Sequence, residues 1–82
     1  MRLEKPLPPG STIGILGGGQ LGRMLTLAAA RLGIKCHIYA PEVDSPAFQV
    51  AAAHSIAPYD DWEALARFAA SVELVTYEFE NV

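Results

Sequence analysis

The sequence predicts an α/β fold: a parallel sheet of about four strands with flanking helices. Three observations lead there. An apolar run, Thr12 to Leu16, passes directly into Gly17-Gly18-Gly19-Gln20-Leu21-Gly22 and then into a helical pattern. Further strand patterns follow at Ile34 to Tyr39, Ser55 to Ala57 and Glu73 to Glu78, with helix starts between them. A helix between consecutive strands makes a crossover, right-handed almost without exception, and such crossovers join parallel neighbours.

Each element has its own signal. Residues 1–11 hold Pro6, Pro8, Pro9 and Gly10 and read as an extended lead-in, because proline lacks an N–H and restricts its predecessor. The folded domain is expected over 12–82. The first strand lacks alternation and so suits a sheet centre covered on both faces. The helix opening near Gln20 carries Leu21, Met24, Leu25, Ala28 and Leu32 at steps of three and four, which predicts one core-facing stripe. Gly33 suits the residue just past its end. In the second strand Ile34, Cys36 and Ile38 alternate with Lys35, His37 and Tyr39, so one face is expected to be wetter. Asp44-Ser45-Pro46 marks a helix start, with a short helix expected over 48–53. Asp60, Asp61 and Glu63 resemble a capping box for a further helix, whose apolar face is Trp62, Leu65, Ala66, Phe68 and Ala69. The resulting order, with helices alternating between four strands, is that of a Rossmann-like doubly wound domain or half of one.

Composition narrows the function. The chain has 82 residues, 51% of them apolar and 18% charged, which is globular and allows one small domain. Its net charge is −3 and its six basic residues are scattered, which argues against nucleic acid as a partner. No apolar run approaches the ~18–20 residues of a membrane span. The first residues lack the apolar stretch of a signal peptide. A lone cysteine, Cys36, suits a reducing compartment, so a cytoplasmic domain is expected. The final residues read as a strand that stops with the chain, which suggests a portion of something longer.

The glycine loop carries the chemistry. Gly17, Gly19 and Gly22 match the GxGxxG pattern in its meaningful context, between an apolar strand and a helix. The first permits positive φ, the second lets a ligand approach the backbone, and the third lets helix and strand pack closely. With Gly18 they form a ligand loop, and the helix start favours oxygen-rich groups. A dinucleotide-binding domain of a dehydrogenase would place an acid at the end of the second strand, for the ribose of NAD(P). Tyr39 is instead followed by Ala40 and Pro41, and Glu42, twenty residues after Gly22, comes only after the proline. That alternative is weakened, not removed. In the strand order 3-2-1-4 the fourth strand neighbours the first, and Glu78 and Glu80 leave it facing the loop; carboxylates there would accept from sugar hydroxyls.

Three stretches together carry a family resemblance. Ile13-Gly14-Ile15-Leu16-Gly17-Gly18-Gly19-Gln20-Leu21-Gly22-Arg23-Met24 resembles the opening of the N5-carboxyaminoimidazole ribonucleotide synthetases, and Asp44-Ser45-Pro46-Ala47 and Thr76-Tyr77-Glu78-Phe79-Glu80-Asn81-Val82 are similar to the next two motifs, in order and spacing. The likeness covers nearly all of the chain from Thr12. Ala40-Pro41 departs from it, since members often carry Asp-Pro, and no acidic role passes to that position.

The resemblance implies the first, pre-ATP-grasp domain of a three-domain ATP-grasp ligase of purine biosynthesis. Such enzymes use ATP and bicarbonate to carboxylate aminoimidazole ribonucleotide, through carboxyphosphate. ATP and Mg2+ belong to the central domain, outside this stretch, which alone would be inactive. By similarity, substrate contacts fall on Gln20 and Leu21 in the loop and on Glu78, with Glu80 a weaker candidate, and the phosphate is gripped by later domains. The family is often dimeric, which implies a homodimer. No catalytic residue and no metal ligand are assigned here. His37 and His54 lack a third ligand at metal spacing. Cys36 reads as a small core residue and Arg23 as part of a solvated face.

Overall fold

A computed structural model describes residues 8–77. In it β1 (Thr12–Leu16), α1 (Gln20–Arg31), β2 (Lys35–Ala40), a 3-10 turn (Pro46–Gln49), β3 (Ala53–Ile56), α2 (Trp62–Ala70) and β4 (Leu74–Tyr77) follow one another. The four strands form one parallel sheet in the order β3-β2-β1-β4. This is the predicted α/β architecture and strand order.

Register sorts the side chains onto two faces. Ile13 pairs with Cys36 and Ile15 with Ile38, and these four pack with Ala47, Phe48, Ala51 and Ala29 in one apolar cluster. Between them, Gly14 pairs with His37 on the other face, where Phe68 of α2 packs. A side chain on Gly14 would meet the Phe68 ring 2.5 Å away, so glycine there makes the room that α2 needs.

α1 does not lie on the sheet through its large residues. Gly22 and Thr26 are its buried positions and Ala29 reaches the core, whereas Leu21, Met24, Leu25 and Leu32 are exposed. The predicted stripe therefore sits roughly a third of a turn from the true contact face. Small residues win that face because they let the helix approach Ile15 and Ile38 closely; the Thr26 hydroxyl is satisfied by the Gly22 carbonyl at 2.7 Å. Trp62 is also exposed, at 77%, and Phe68 is the buried residue of α2.

Other boundaries differ locally. The helix expected over 48–53 is the 3-10 turn at Pro46–Gln49, and β3 begins two residues earlier than expected. Asp61 rather than Asp60 caps α2, accepting from the Ala64 N–H at 3.0 Å. Gly33 has φ +76° just past α1, as a helix-ending glycine should. Over 8–11 the lead-in turns rather than extends: the Ser11 N–H reaches the Pro8 carbonyl, and the Gly10 N–H the Gly33 carbonyl.

The wetter face of β2 is wet at exposed Lys35 and half-buried His37 but not at Tyr39. Tyr39 is fully buried, its hydroxyl donating to the Pro58 carbonyl at 2.6 Å, and burial pushes that phenol above its ordinary pKa. His37 has defined partners. The Ser71 hydroxyl donates to the Phe68 carbonyl and so accepts from Nδ1–H of His37, leaving Nε2 to accept from Ser55 at 2.7 Å. Burial, then the charge of His54, lowers the His37 pKa. A lowered histidine pKa means the unfolded chain takes up the proton first, near pH ~6.5. Stability supplied by neutral His37 is thus present above that pH and lost as the pH falls through it toward the folded pKa. Urea unfolding at pH 7.5 and 5.5 should show this loss, and His37→Gln should shrink it; an unchanged difference would remove His37 as the cause.

Candidate functional site

The site is built at the carboxyl ends of β1, β2 and β3, where parallel α/β sheets place their ligand crevices. The glycine loop leaves β1 through Gly17, whose φ of +113° suits glycine, and the Gly17 N–H is fixed to the Tyr39 carbonyl at 2.8 Å. The next residue is constrained by space. A Cβ on Gly18 would fall 2.4 Å from Ser45 Cβ and 3.1 Å from Ala40 Cβ. The Gly18 carbonyl also accepts from the Ala47 N–H at 2.8 Å. Ser45 is buried, its hydroxyl donating to the Glu42 carbonyl at 2.7 Å. The loop and Asp44-Ser45-Pro46-Ala47, separate motifs in the sequence, are thus one packed unit.

An open cleft of about 890 Å3 lies against this unit, lined by Gly18, Gly19, residues 42–46 and Tyr59. Gly19 starts α1 with extended backbone; no side chain caps the helix and its first turn holds no acid, so that end keeps its positive character. Glu42 and Asp44 bring carboxylates, and among the described residues no lysine or arginine lines the cleft. Such walls suit donors on a sugar, base or amine better than a phosphate.

The sequence-predicted residues divide. Gly17, Gly18, Gly19 and Gly22 stand at the turn and helix start as expected, Gly22 buried in the α1–sheet contact. Gln20 and Leu21 are exposed on the first turn of α1, beside the cleft but not in its lining. Glu78 and Glu80 lie outside the described residues. β4 does neighbour β1, and Leu16 pairs with Tyr77, so the chain leaves β4 level with the start of the glycine loop. Glu42 borders the cleft despite the preceding Pro41, while β2 itself ends at Ala40 with no acid at the strand end, as the sequence argument against a dehydrogenase requires. Tyr59 also lines the cleft, and its signal in the sequence is position alone, in the loop just after β3. Cys36 is 1% exposed, and burial raises its thiol pKa. Arg23 is half-buried, and its Nε is buried without a hydrogen-bond partner, so it is not simply solvated.

The family profile of the ribonucleotide synthetase preATP-grasp domain matches residues 10–82. The chain belongs to that family. It is 59% identical over 76 residues to the N5-carboxyaminoimidazole ribonucleotide synthase of Brucella melitensis, covering 93% of this chain and 21% of that protein. A crystal structure of an ADP complex of N5-carboxyaminoimidazole ribonucleotide synthetase superimposes with a TM-score of 0.90 at 48% identity, covering 98% of this chain and 21% of that one. The Aspergillus clavatus synthase crystallised with ADP and 5-aminoimidazole ribonucleotide gives a TM-score of 0.79 at 38% identity, covering 90% of this chain and 20% of that one. The chain thus spans about a fifth of the length of these relatives. None of them is a dehydrogenase.

Proposed function

We propose that this chain is the ribonucleotide-binding portion of a cytoplasmic ligase that uses ATP and bicarbonate to carboxylate 5-aminoimidazole ribonucleotide, giving N5-carboxyaminoimidazole ribonucleotide. The observation that carries the reading is the glycine loop locked to Asp44-Ser45-Pro46-Ala47 beside an acidic cleft, in a chain of the ribonucleotide synthetase preATP-grasp family. The Aspergillus relative's complex with the ribonucleotide supports the substrate.

Within this reading the chain's part is to hold the substrate. Gln20 and Leu21 contact it from the first turn of α1, with Gly17, Gly18, Gly19 and Gly22 shaping the backbone they stand on. Glu78 accepts hydrogen bonds from the ribose hydroxyls. ATP and Mg2+ act in the central ATP-grasp domain that the family resemblance implies, outside this chain. ATP phosphorylates bicarbonate to carboxyphosphate and ADP, and the exocyclic amine of the held ribonucleotide takes the carboxyl group as inorganic phosphate leaves and the amine gives up a proton. A homodimer is part of the same proposal.

The test is ATP turnover by the complete protein that carries this sequence. It should depend on both bicarbonate and aminoimidazole ribonucleotide; tight NADH binding without that turnover would overturn the reading. Glu78→Ala should raise the KM for the ribonucleotide roughly tenfold, the scale of one hydrogen bond to a charged group. An unchanged KM would take Glu78 out of the site.

A further inference from the structure

The cleft has one aromatic wall, and its placement is controlled. Tyr59 is 39% exposed and lines the cleft with Gly18 and Gly19. It does not sit on a loose loop. The residue before it, Pro58, is gripped through its carbonyl by the buried Tyr39 hydroxyl at 2.6 Å and by the Asp61 N–H at 3.2 Å. The Tyr59 ring lies 6.0 Å from the Tyr39 ring, tilted by 34°. A buried tyrosine of the central sheet therefore anchors the turn that carries the half-exposed one.

The rest of the lining fixes what such a ring can meet. Gly18 and Gly19 offer backbone only, and Glu42 and Asp44 offer acceptors. A flat aromatic surface packs well against the face of a heteroaromatic ring or a sugar. Carboxylates beside it accept from N–H and O–H groups and repel phosphate.

We propose that Tyr59 is a binding residue for the sugar–base part of the ribonucleotide: its ring packs against the aminoimidazole–ribose unit while the Asp44 carboxylate accepts from that unit's donors, and the phosphate points out of the cleft. The inference rests on the functional reading above and adds to it a third loop, the one after β3. It makes the cleft a product of the β1, β2 and β3 loops together.

Steady-state kinetics on the complete protein test it. Tyr59→Ala should raise the KM for aminoimidazole ribonucleotide about tenfold while kcat and the KM for ATP stay within about twofold. Tyr59→Phe should keep a near-normal KM, because the ring face is retained. Tyr59→Leu preserves bulk without the aromatic face and should behave like the alanine variant; it reads the same effect if Tyr59→Ala folds poorly. Asp44→Asn should also raise the ribonucleotide KM and leave that for ATP unchanged. A normal ribonucleotide KM in Tyr59→Leu overturns the proposal, and so does a loss confined to kcat. Absence of ribonucleotide-dependent turnover in the unsubstituted protein would instead sink the functional reading, so the two failures are distinguishable.

Discussion

Phe68→Ala should lower the unfolding free energy by about 3–5 kcal/mol, the usual range for removing a buried phenylalanine ring. Phe68 is 2% exposed and is the buried residue of α2. Its ring fills the space left by the missing side chain of Gly14, stands edge-on to His37 at 4.9 Å and lies 5.2 Å from Tyr39. Losing it removes the attachment of α2 to the sheet and leaves a cavity beside two polar side chains. A chain of 82 residues has roughly 4–12 kcal/mol of stability to lose, by the usual allowance per residue. The variant should therefore unfold at much lower urea or be largely unfolded in buffer. A loss under about 1 kcal/mol would show that α2 docks through other contacts. Phe68→Leu should fall between the two, since most of the apolar volume remains.

The fold was legible because its signals are local. Isoleucines at positions 13 and 15, glycines at 17 and 33, and proline at 46 each specify a backbone state with little help from the rest of the chain. What misled was the size of side chains on α1. Leu21, Leu25 and Leu32 form a regular apolar stripe, yet the sheet takes Gly22, Thr26 and Ala29, because close approach favours small residues over large ones. Trp62 misled for a related reason: apolar type was read as burial, and the ring is exposed.

The site was legible in part. The glycine pattern and the Asp44-Ser45-Pro46-Ala47 motif were both visible, but that they touch was not. The contact depends on the loops after β1 and β2 meeting at adjacent strand ends, which is a fact of register and crossover hand. Tyr59 was invisible for the same reason. Nothing in the neighbourhood of Pro58-Tyr59-Asp60 distinguishes it from an ordinary turn until β3 is placed beside β2. The acid at 42 follows the end of β2 at Ala40, and the turn after Pro41 leaves it on the cleft wall, a placement that sequence spacing does not reveal.

Gly18→Val should be the most disruptive single change in the ligand loop, costing about 3 kcal/mol, near the upper end of overpacking penalties. Gly18 lacks the positive φ of Gly17, so the penalty is one of space rather than of backbone conformation. Its first added carbon would fall 2.4 Å from Ser45 Cβ, and Ser45 cannot yield freely, being buried and bonded through its hydroxyl to Glu42. Moving the loop instead would stretch the hydrogen bond from Ala47 to the Gly18 carbonyl. Either movement displaces a wall of the cleft, so the ribonucleotide KM of the complete protein should rise along with the loss of stability. Gly17→Ala provides the contrast, because its cost comes from strain at φ +113°. Pairing each change with Ser45→Gly separates the causes. Removing the serine side chain should recover much of the Gly18→Val penalty, a coupling of about 1 kcal/mol or more, and none of the Gly17→Ala penalty. Additivity in the Gly18 pair would mean that the glycine loop does not press on the 44–47 segment, and the packed unit behind the cleft would have to be abandoned.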